Sequence, residues 1–367
     1  MMGIAYILGA GASYGDNITL REGAAPGLTA RLSRPPLVKG FFRGDLLERL
    51  GYSGASASAD YSEAFEYIRA IKHIPQEAVG TGAWNDLDIE EIFTAVELER
   101  EFCEDESDEY SSLTIIRNKL LRYVGRIIAL CTQGGCGERI RKLAESLDIG
   151  DSVLTFNWDL LLDYELGVRG PKWQYHNFFT ILLQDFRFGG MTVGPYGHQG
   201  MFLKLHGSFN WYRCTNRLCR NFSSVAFYED TQNALDRLMG IAPPACEACG
   251  SQMNPLLIPP LLKKPINENA TFKAIWGVAR QKIVSASKVV IIGFSLPPTD
   301  FYASWLLRSI RNPPNQVFVV NPMNDPTHTE HEKFKQRMLA VLPRGYNEEF
   351  ASFAEIDEIL ARVRQDT

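Results

Sequence analysis

The 367-residue chain has no apolar run long enough to cross a bilayer. Its longest candidate is VVIIGF at 289–294, whereas a spanning helix needs about 20 apolar residues. A surplus of positive charge is also missing, because 38 lysines and arginines face 43 acidic residues for a formal net charge of -5. Nonspecific binding to nucleic acid releases counterions from a basic face, so broad DNA or RNA binding is not expected. No basic segment precedes the apolar opening IAYIL, which runs directly into glycines. It therefore reads as a first strand rather than a secretory signal, and a cytoplasmic location is expected. Seven unevenly placed cysteines are too few for a disulfide framework. There is no internal repeat and no long low-complexity tract.

What is present is the composition of packed globular domains: 45% hydrophobic, 22% charged and 11% aromatic residues. The length suggests two or three structural units. Short β-branched runs occur at IAYIL (4–8), SVLTFN (152–157), MFLKL (201–205), KVVIIGF (288–294) and QVFVVN (316–321), separated by helix-length segments. That alternation predicts a parallel sheet covered on both faces. Between the first two runs, Phe65, Ile68, Ile89, Ile92, Phe93, Val96, Leu113, Ile116, Leu120 and Val124 recur at helical spacing. The expected fold class is α/β: a Rossmann-like doubly wound parallel sheet over 1–44, 148–213 and 255–325. A helical insertion is expected over 45–147, a small zinc-ribbon module over 214–254, and a C-terminal helical segment over 326–367. The acidic stretch EDESDEY at 104–110 is expected to be a solvated helix end or loop.

The chemistry-bearing residues lie at the ends of these runs. Gly9, Ala10, Gly11 and Ser13 form a small-residue turn directly after the first strand. Such a turn lets backbone approach a pyrophosphate at a helix N-terminus. In TFNWDLLLD (155–163), Thr155, Asn157 and Asp159 stand at the carboxyl end of a strand, where doubly wound folds face their ligand crevice. Taken singly, Asp159 reads first as a helix cap. His206 ends the run FLKLH before a glycine, and an imidazole with an ordinary pKa near 6.5 suits proton transfer near neutrality. Gly293 and Ser295 in GFSL, and Asn321 after QVFVV, complete the set. Cys214, Cys219, Cys246 and Cys249 form a two-plus-two arrangement, in which four thiolates close a tetrahedral zinc site and leave no open position. The remaining cysteines, Cys103, Cys131 and Cys136, read as free thiols.

In order, GAGAS, TFNWD, KLHGS, the four cysteines, GFSL and VVN resemble the sirtuin family, in particular divergent bacterial sirtuin-like NAD hydrolases of anti-phage defence. The resemblance runs from Ile4 to about Pro322. It implies NAD as substrate: Gly9, Gly11 and Ser13 toward the phosphates, Ala10 and Thr155 also binding the dinucleotide, Asn157 and Asp159 toward the nicotinamide end, His206 at the reacting ribose, and Gly293, Ser295 and Asn321 toward the adenosine half. It also implies a structural zinc, an oligomer, and one arrangement in which a short sirtuin-like protein pairs with a hexameric ATPase of the HerA type. Between Tyr14 and Gly44 the sequence has no equivalent of the acidic–Phe–Arg loop of protein-deacylating sirtuins, and Arg21, Arg31 and Arg34 are the candidate cations there. WNDLDIEEIF at 84–93 resembles an acidic helix start of the defence proteins, which would bring Asp88 or Glu91 toward the pocket. Water is the expected acceptor, and the readings held against it are an acyl-lysine deacylase and a noncatalytic NAD or ADP-ribose sensor.

Overall fold

A computed structural model describes residues 3–16, 34–49, 61–105, 107–132, 136–148, 150–168, 201–222, 225–227, 245–258, 270–298 and 300–365. Strands β1 (Ile4–Leu8), β2 (Ser152–Thr155), β3 (Met201–Lys204), β7 (Lys288–Ile292) and β8 (Val317–Val320) form one five-stranded sheet in the order β3-β2-β1-β7-β8. All four pairings are parallel. Each strand is a buried apolar run, as a sheet covered on both faces requires.

The two-residue alternation of a strand divides these runs between two cores. Ala5, Ile7, Leu154, Leu203, Val289, Ile291, Val317 and Val319 pack against helices α8 (Ala270–Ser285), α9 (Phe301–Leu307) and α10 (His331–Val341). On the opposite face, Ile4, Tyr6, Leu8, Val153, Phe202, Val290, Ile292, Phe318 and Val320 meet α1 (Ala10–Gly15), α6 (Glu138–Ser146), α7 (Leu161–Val168) and α11 (Ile356–Arg364). The doubly wound α/β arrangement expected from the sequence is thus present.

A separate core holds the helical layer: α2 (Gly44–Arg49), α3 (Ser62–Lys72), α4 (Ile89–Phe102) and α5 (Asp108–Thr132). Its centre is aromatic, with Phe42 stacked on Tyr123 at 5.2 Å and Phe65 edge-on to both Trp84 and Tyr123. Two boundaries differ from the expected domain limits. Ile140, Leu143 and Ala144 of α6 pack on the sheet rather than in the helical layer, because Asp16 at the end of α1 accepts hydrogen bonds from the backbone of Gly137, Arg139 and Ile140 and draws α6 down onto it. Phe41 and Phe42 belong instead to the helical core. In the C-terminal segment, α10 and α11 each cover one face of the sheet.

A second, antiparallel sheet, β5-β4-β6, is formed by β4 (Gly207–Cys214), β5 (Ala226–Phe227) and β6 (Met253–Leu257). Phe209 and Leu257 of this sheet join the helical core, and Trp158 bridges the two through edge contacts with Phe93 at 6.4 Å and Phe209 at 5.8 Å. Among the described residues, no helix is long and apolar enough to cross a membrane.

Candidate active site and metal centre

The strand order fixes where a ligand is to be sought. Going from β1, the chain builds outward on one side to β2 and β3, then crosses to β7 and β8 on the other. The reversal falls at the carboxyl ends of β1 and β7, the switch point at which such sheets bind ligands. Here the two strand ends interlock. Gly9 N–H donates to the Ile292 carbonyl at 3.0 Å, Gly11 N–H to the Gly293 carbonyl at 2.8 Å, and Gly293 N–H to the Val320 carbonyl at 2.9 Å. Gly293 adopts φ +64°, and a Cβ there would lie 2.1 Å from the Ala12 nitrogen, so no other residue fits. Gly9, Gly11 and Gly293 therefore bring two turns into backbone contact, a role the sequence alone did not separate from phosphate binding.

Asn157 crosses from β2 to this turn. Its Nδ2 donates to the Gly9 carbonyl and to Ser13 Oγ, both at 3.0 Å, and its backbone N–H is held by Thr155 Oγ1. Thr155 in turn reaches the Leu8 carbonyl. Ser13 Oγ donates to Asp159 Oδ2 at 2.7 Å, while Asp159 Oδ1 accepts from Leu161 N–H and caps α7. One Asp159 oxygen thus bonds the start of α7 and the other bonds Ser13. The amide orientation of Asn157 is set by the Gly9 carbonyl, which leaves Oδ1 buried and without a hydrogen-bond partner among the described residues. A buried acceptor left open costs roughly 1–3 kcal/mol.

Beneath it lies a pair that the sequence did not reveal. Lys204, fully buried at the end of β3, donates to the Asp159 carbonyl and to both carboxylate oxygens of Asp163 at 3.0 and 3.1 Å. Burial pushes Asp163 up to about 6, with the Lys204 charge opposing the rise.

His206 follows on the neighbouring strand. Leu205 N–H donates to the Thr155 carbonyl at 2.9 Å, continuing the β2–β3 ladder, so Asn157 and His206 leave adjacent strands at neighbouring positions. The imidazole meets Phe156 edge-on at 5.1 Å, and Phe156 stacks on Phe294 at 4.4 Å. Trp276 packs against both the histidine and Phe156, and donates its indole N–H to the Leu205 carbonyl. This aromatic shelf was invisible in the sequence, where Phe156 and Phe294 read only as strand hydrophobes.

Other expected residues divide. Ser295 is half-buried beyond the Gly293 turn. Asn321 is buried with both side-chain atoms engaged, Nδ2 toward the Phe294 carbonyl and Oδ1 capping the turn Pro322–Asn324 at Met323 N–H, so it supports the β7 turn from behind. The guanidinium of Arg34 sits 4.9 Å above the Tyr14 ring of α1, while Arg21 and Arg31 lie outside the described residues. Asp88 and Glu91 do not turn to the pocket. Asp88 caps α4 at Glu90 and Glu91 N–H, and Glu91 pairs with Lys72 on the surface.

The four cysteines converge as expected. The Sγ atoms of Cys214, Cys219, Cys246 and Cys249 all lie within 4.8 Å of one another, with Cys214–Cys249 at 3.5 Å and Cys219–Cys246 at 3.8 Å. Zinc–sulfur bonds of about 2.3 Å at tetrahedral angles put sulfurs roughly 3.8 Å apart, so the donor set fits zinc. The wide first pair closes because the chain turns between Asn216 and Cys219, where Cys219 N–H meets the Asn216 carbonyl. The backbone N–H groups of Asn216 and Asn221 point at the Cys214 and Cys219 sulfurs, donation that stabilises thiolates. Without metal the thiols are unequal. Burial pushes Cys214 up to about 12, whereas hydrogen bonds from Ser251 draw Cys249 down to about 6.

No protein-family model matches the sequence, and no curated protein matches it. Solved structures do resemble it. A Sir2 homologue in complex with NAD is 15% identical, with 99% of this chain and 89% of that chain covered and a TM-score of 0.44. A mutant Sir2 homologue bound to ADP ribose is also 15% identical, with 82% and 89% covered and a TM-score of 0.41. Another mutant, bound to 2′-O-acetyl ADP ribose, is 14% identical over 99% and 92%, with a TM-score of 0.42. At these scores the likeness is one of outline, and the site stands on its own geometry.

Proposed function

We propose that the chain binds NAD at the β1–β7 switch point and hydrolyses its nicotinamide–ribose bond, giving nicotinamide and ADP-ribose. The observation that carries this reading is the unpartnered Asn157 Oδ1, fixed in orientation beside the glycine turn and one strand away from His206. Under this reading the turn from Gly9 to Ser13, with Thr155, Gly293 and Ser295 around it, lodges the dinucleotide. Asn157 Oδ1 orients water or a ribose hydroxyl, and His206 takes up the proton released as the C–N bond breaks and water adds. The Asp159 carboxylate, tied to Ser13, offsets positive charge developing on the ribose. The Phe156–Phe294 shelf keeps bulk water from the histidine. Zinc, held by four cysteines with no open position, builds the module that anchors β4 and takes no part in the reaction.

Mass spectrometry of NAD incubated with the purified protein tests this. Nicotinamide and ADP-ribose in equal amounts are expected. Nicotinamide release only with an acyl-lysine peptide would replace the reading with a deacylase, and saturable binding without turnover would replace it with a sensor. A hydrolase of this kind drains a cell of NAD, so we assign it a triggered role in defence against phage, with assembly as the switch. Leu98, Phe102 and Ile115 stand exposed on the helical layer, Phe102 to 86%, and support a role for that layer in self-association or in binding a HerA-type ATPase.

A further inference from the structure

We propose that Asp300 is a positioning residue for His206: its carboxylate fixes the ring's tautomer and stabilises the imidazolium formed during the reaction. This rests on the proton-accepting role given to His206 above. Asp300 comes at the end of the β7 turn, after Gly293 at φ +64° and the buried Leu296 at φ +49°. A left-handed leucine costs roughly 1–2 kcal/mol, and such strain persists where the surroundings impose it. The strained turn delivers a carboxylate into the interior, where Asp300 is 5% exposed and His206 6%.

The two carboxylate oxygens are divided. Oδ1 accepts from Ala303 N–H at 2.9 Å and caps α9, which fixes the plane of the group. Oδ2 lies 3.8 Å from His206 Nε2. That is longer than a hydrogen bond, and such catalytic contacts commonly tighten when substrate binds. Phe156 and Trp276 pack together against one side of the ring, with centroids 5.1 and 6.3 Å from it. A buried carboxylate at this range favours the ring hydrogen on the facing nitrogen and favours the charged ring over the neutral one. With the hydrogen on Nε2, the proton taken from water or a ribose hydroxyl goes to Nδ1, and Asp300 stays ionised throughout. The arrangement follows the general logic of a base oriented by a third group.

Asn at position 300 retains the oxygen that caps α9 and removes the charge, so Asp300→Asn separates the two roles. Melting temperature should stay within about 2 °C of wild type, kcat for nicotinamide release should fall roughly 10- to 100-fold, and KM should change less than about twofold. In a His206→Ala background the same substitution should cost nothing further. An independent readout is the ring itself. Long-range proton–nitrogen NMR of 15N-histidine-labelled protein, with the His206 signals assigned by their loss in His206→Ala, should show Nε2–H in wild type and a mixed tautomer in Asp300→Asn. An unchanged tautomer, or wild-type kcat in Asp300→Asn, overturns the inference. Absence of nicotinamide release from wild type overturns the hydrolase reading instead, and the tautomer measurement still decides whether Asp300 positions the ring.

Discussion

The strand-end crevice and the zinc module are both built by turns that bring distant side chains to a point, yet they end differently. In the zinc module four sulfurs converge on one centre and complete it. At the strand ends Asn157, Ser13 and Asp159 bond one another, and Asn157 Oδ1 has no hydrogen-bond partner among the described residues. The first arrangement closes on itself, whereas the second, set above Lys204 and Asp163, does not.

The sharpest break between the regions should come from the open set. Asn157→Ala and His206→Ala are expected to lower nicotinamide release by about 10²- to 10⁴-fold, with melting temperatures little changed. Next is removal of the metal. Atomic emission should find one zinc per chain, and stripping it with a chelator, or substituting Cys214→Ser, should lower the melting temperature by roughly 5–10 °C as the module opens. A third test uses two glycines in left-handed conformation. A Cβ at Gly293 would meet backbone at 2.1 Å, whereas Gly250 in the cysteine knuckle has φ +72° and nothing within 4 Å. In denaturant titrations, Gly293→Ala should cost about 3 kcal/mol and Gly250→Ala about 1 kcal/mol. Equal costs would mean that the β1–β7 turns are not locked together.

The smallest effect concerns the support beneath the crevice. Asp163 is raised from its ordinary 3.8 to about 6 by burial, so between those values the folded protein binds more protons there than the unfolded chain does. Its contribution to stability is present in full below about pH 4 and is lost as pH rises through about 6. Asp163→Asn should remove that slope. The stability difference between variant and wild type, followed by urea titration from pH 4 to 7, should change by about 1–2 kcal/mol.

Much of this was legible in the sequence. The five parallel strands were visible as β-branched runs, and their observed ends fall just short of the expected ones: 152–155 where 152–157 was read, and 288–292 where 288–294 was read. The difference has a physical cause. Phe156 and Gly293 make the last backbone bonds to the neighbouring strands, and beyond them the Asn157 N–H turns to Thr155 Oγ1 while Phe294 stacks on Phe156. The cysteine set was legible because its ligand types and spacing carry the chemistry directly. Lys204 with Asp163, and Asp300 with His206, were not, because each pair is joined only when separate strand ends come together. Asp300 did carry a local signal, an aspartate after two prolines at the start of an apolar helix, which reads as a cap and conceals its second oxygen. The placement of α6 on the sheet likewise depends on a contact with Asp16 that no periodicity reports.

The central position of β1 has a consequence for synthesis. Leu8 is paired with Thr155 on one side and with Ile292 on the other. During translation the glycine turn emerges first, but the backbone that locks it arrives only with β7, most of the chain later. Closing so long a loop is slow and comes late in folding. A nascent or prematurely terminated chain therefore carries every residue from Gly9 to His206 and still has no crevice.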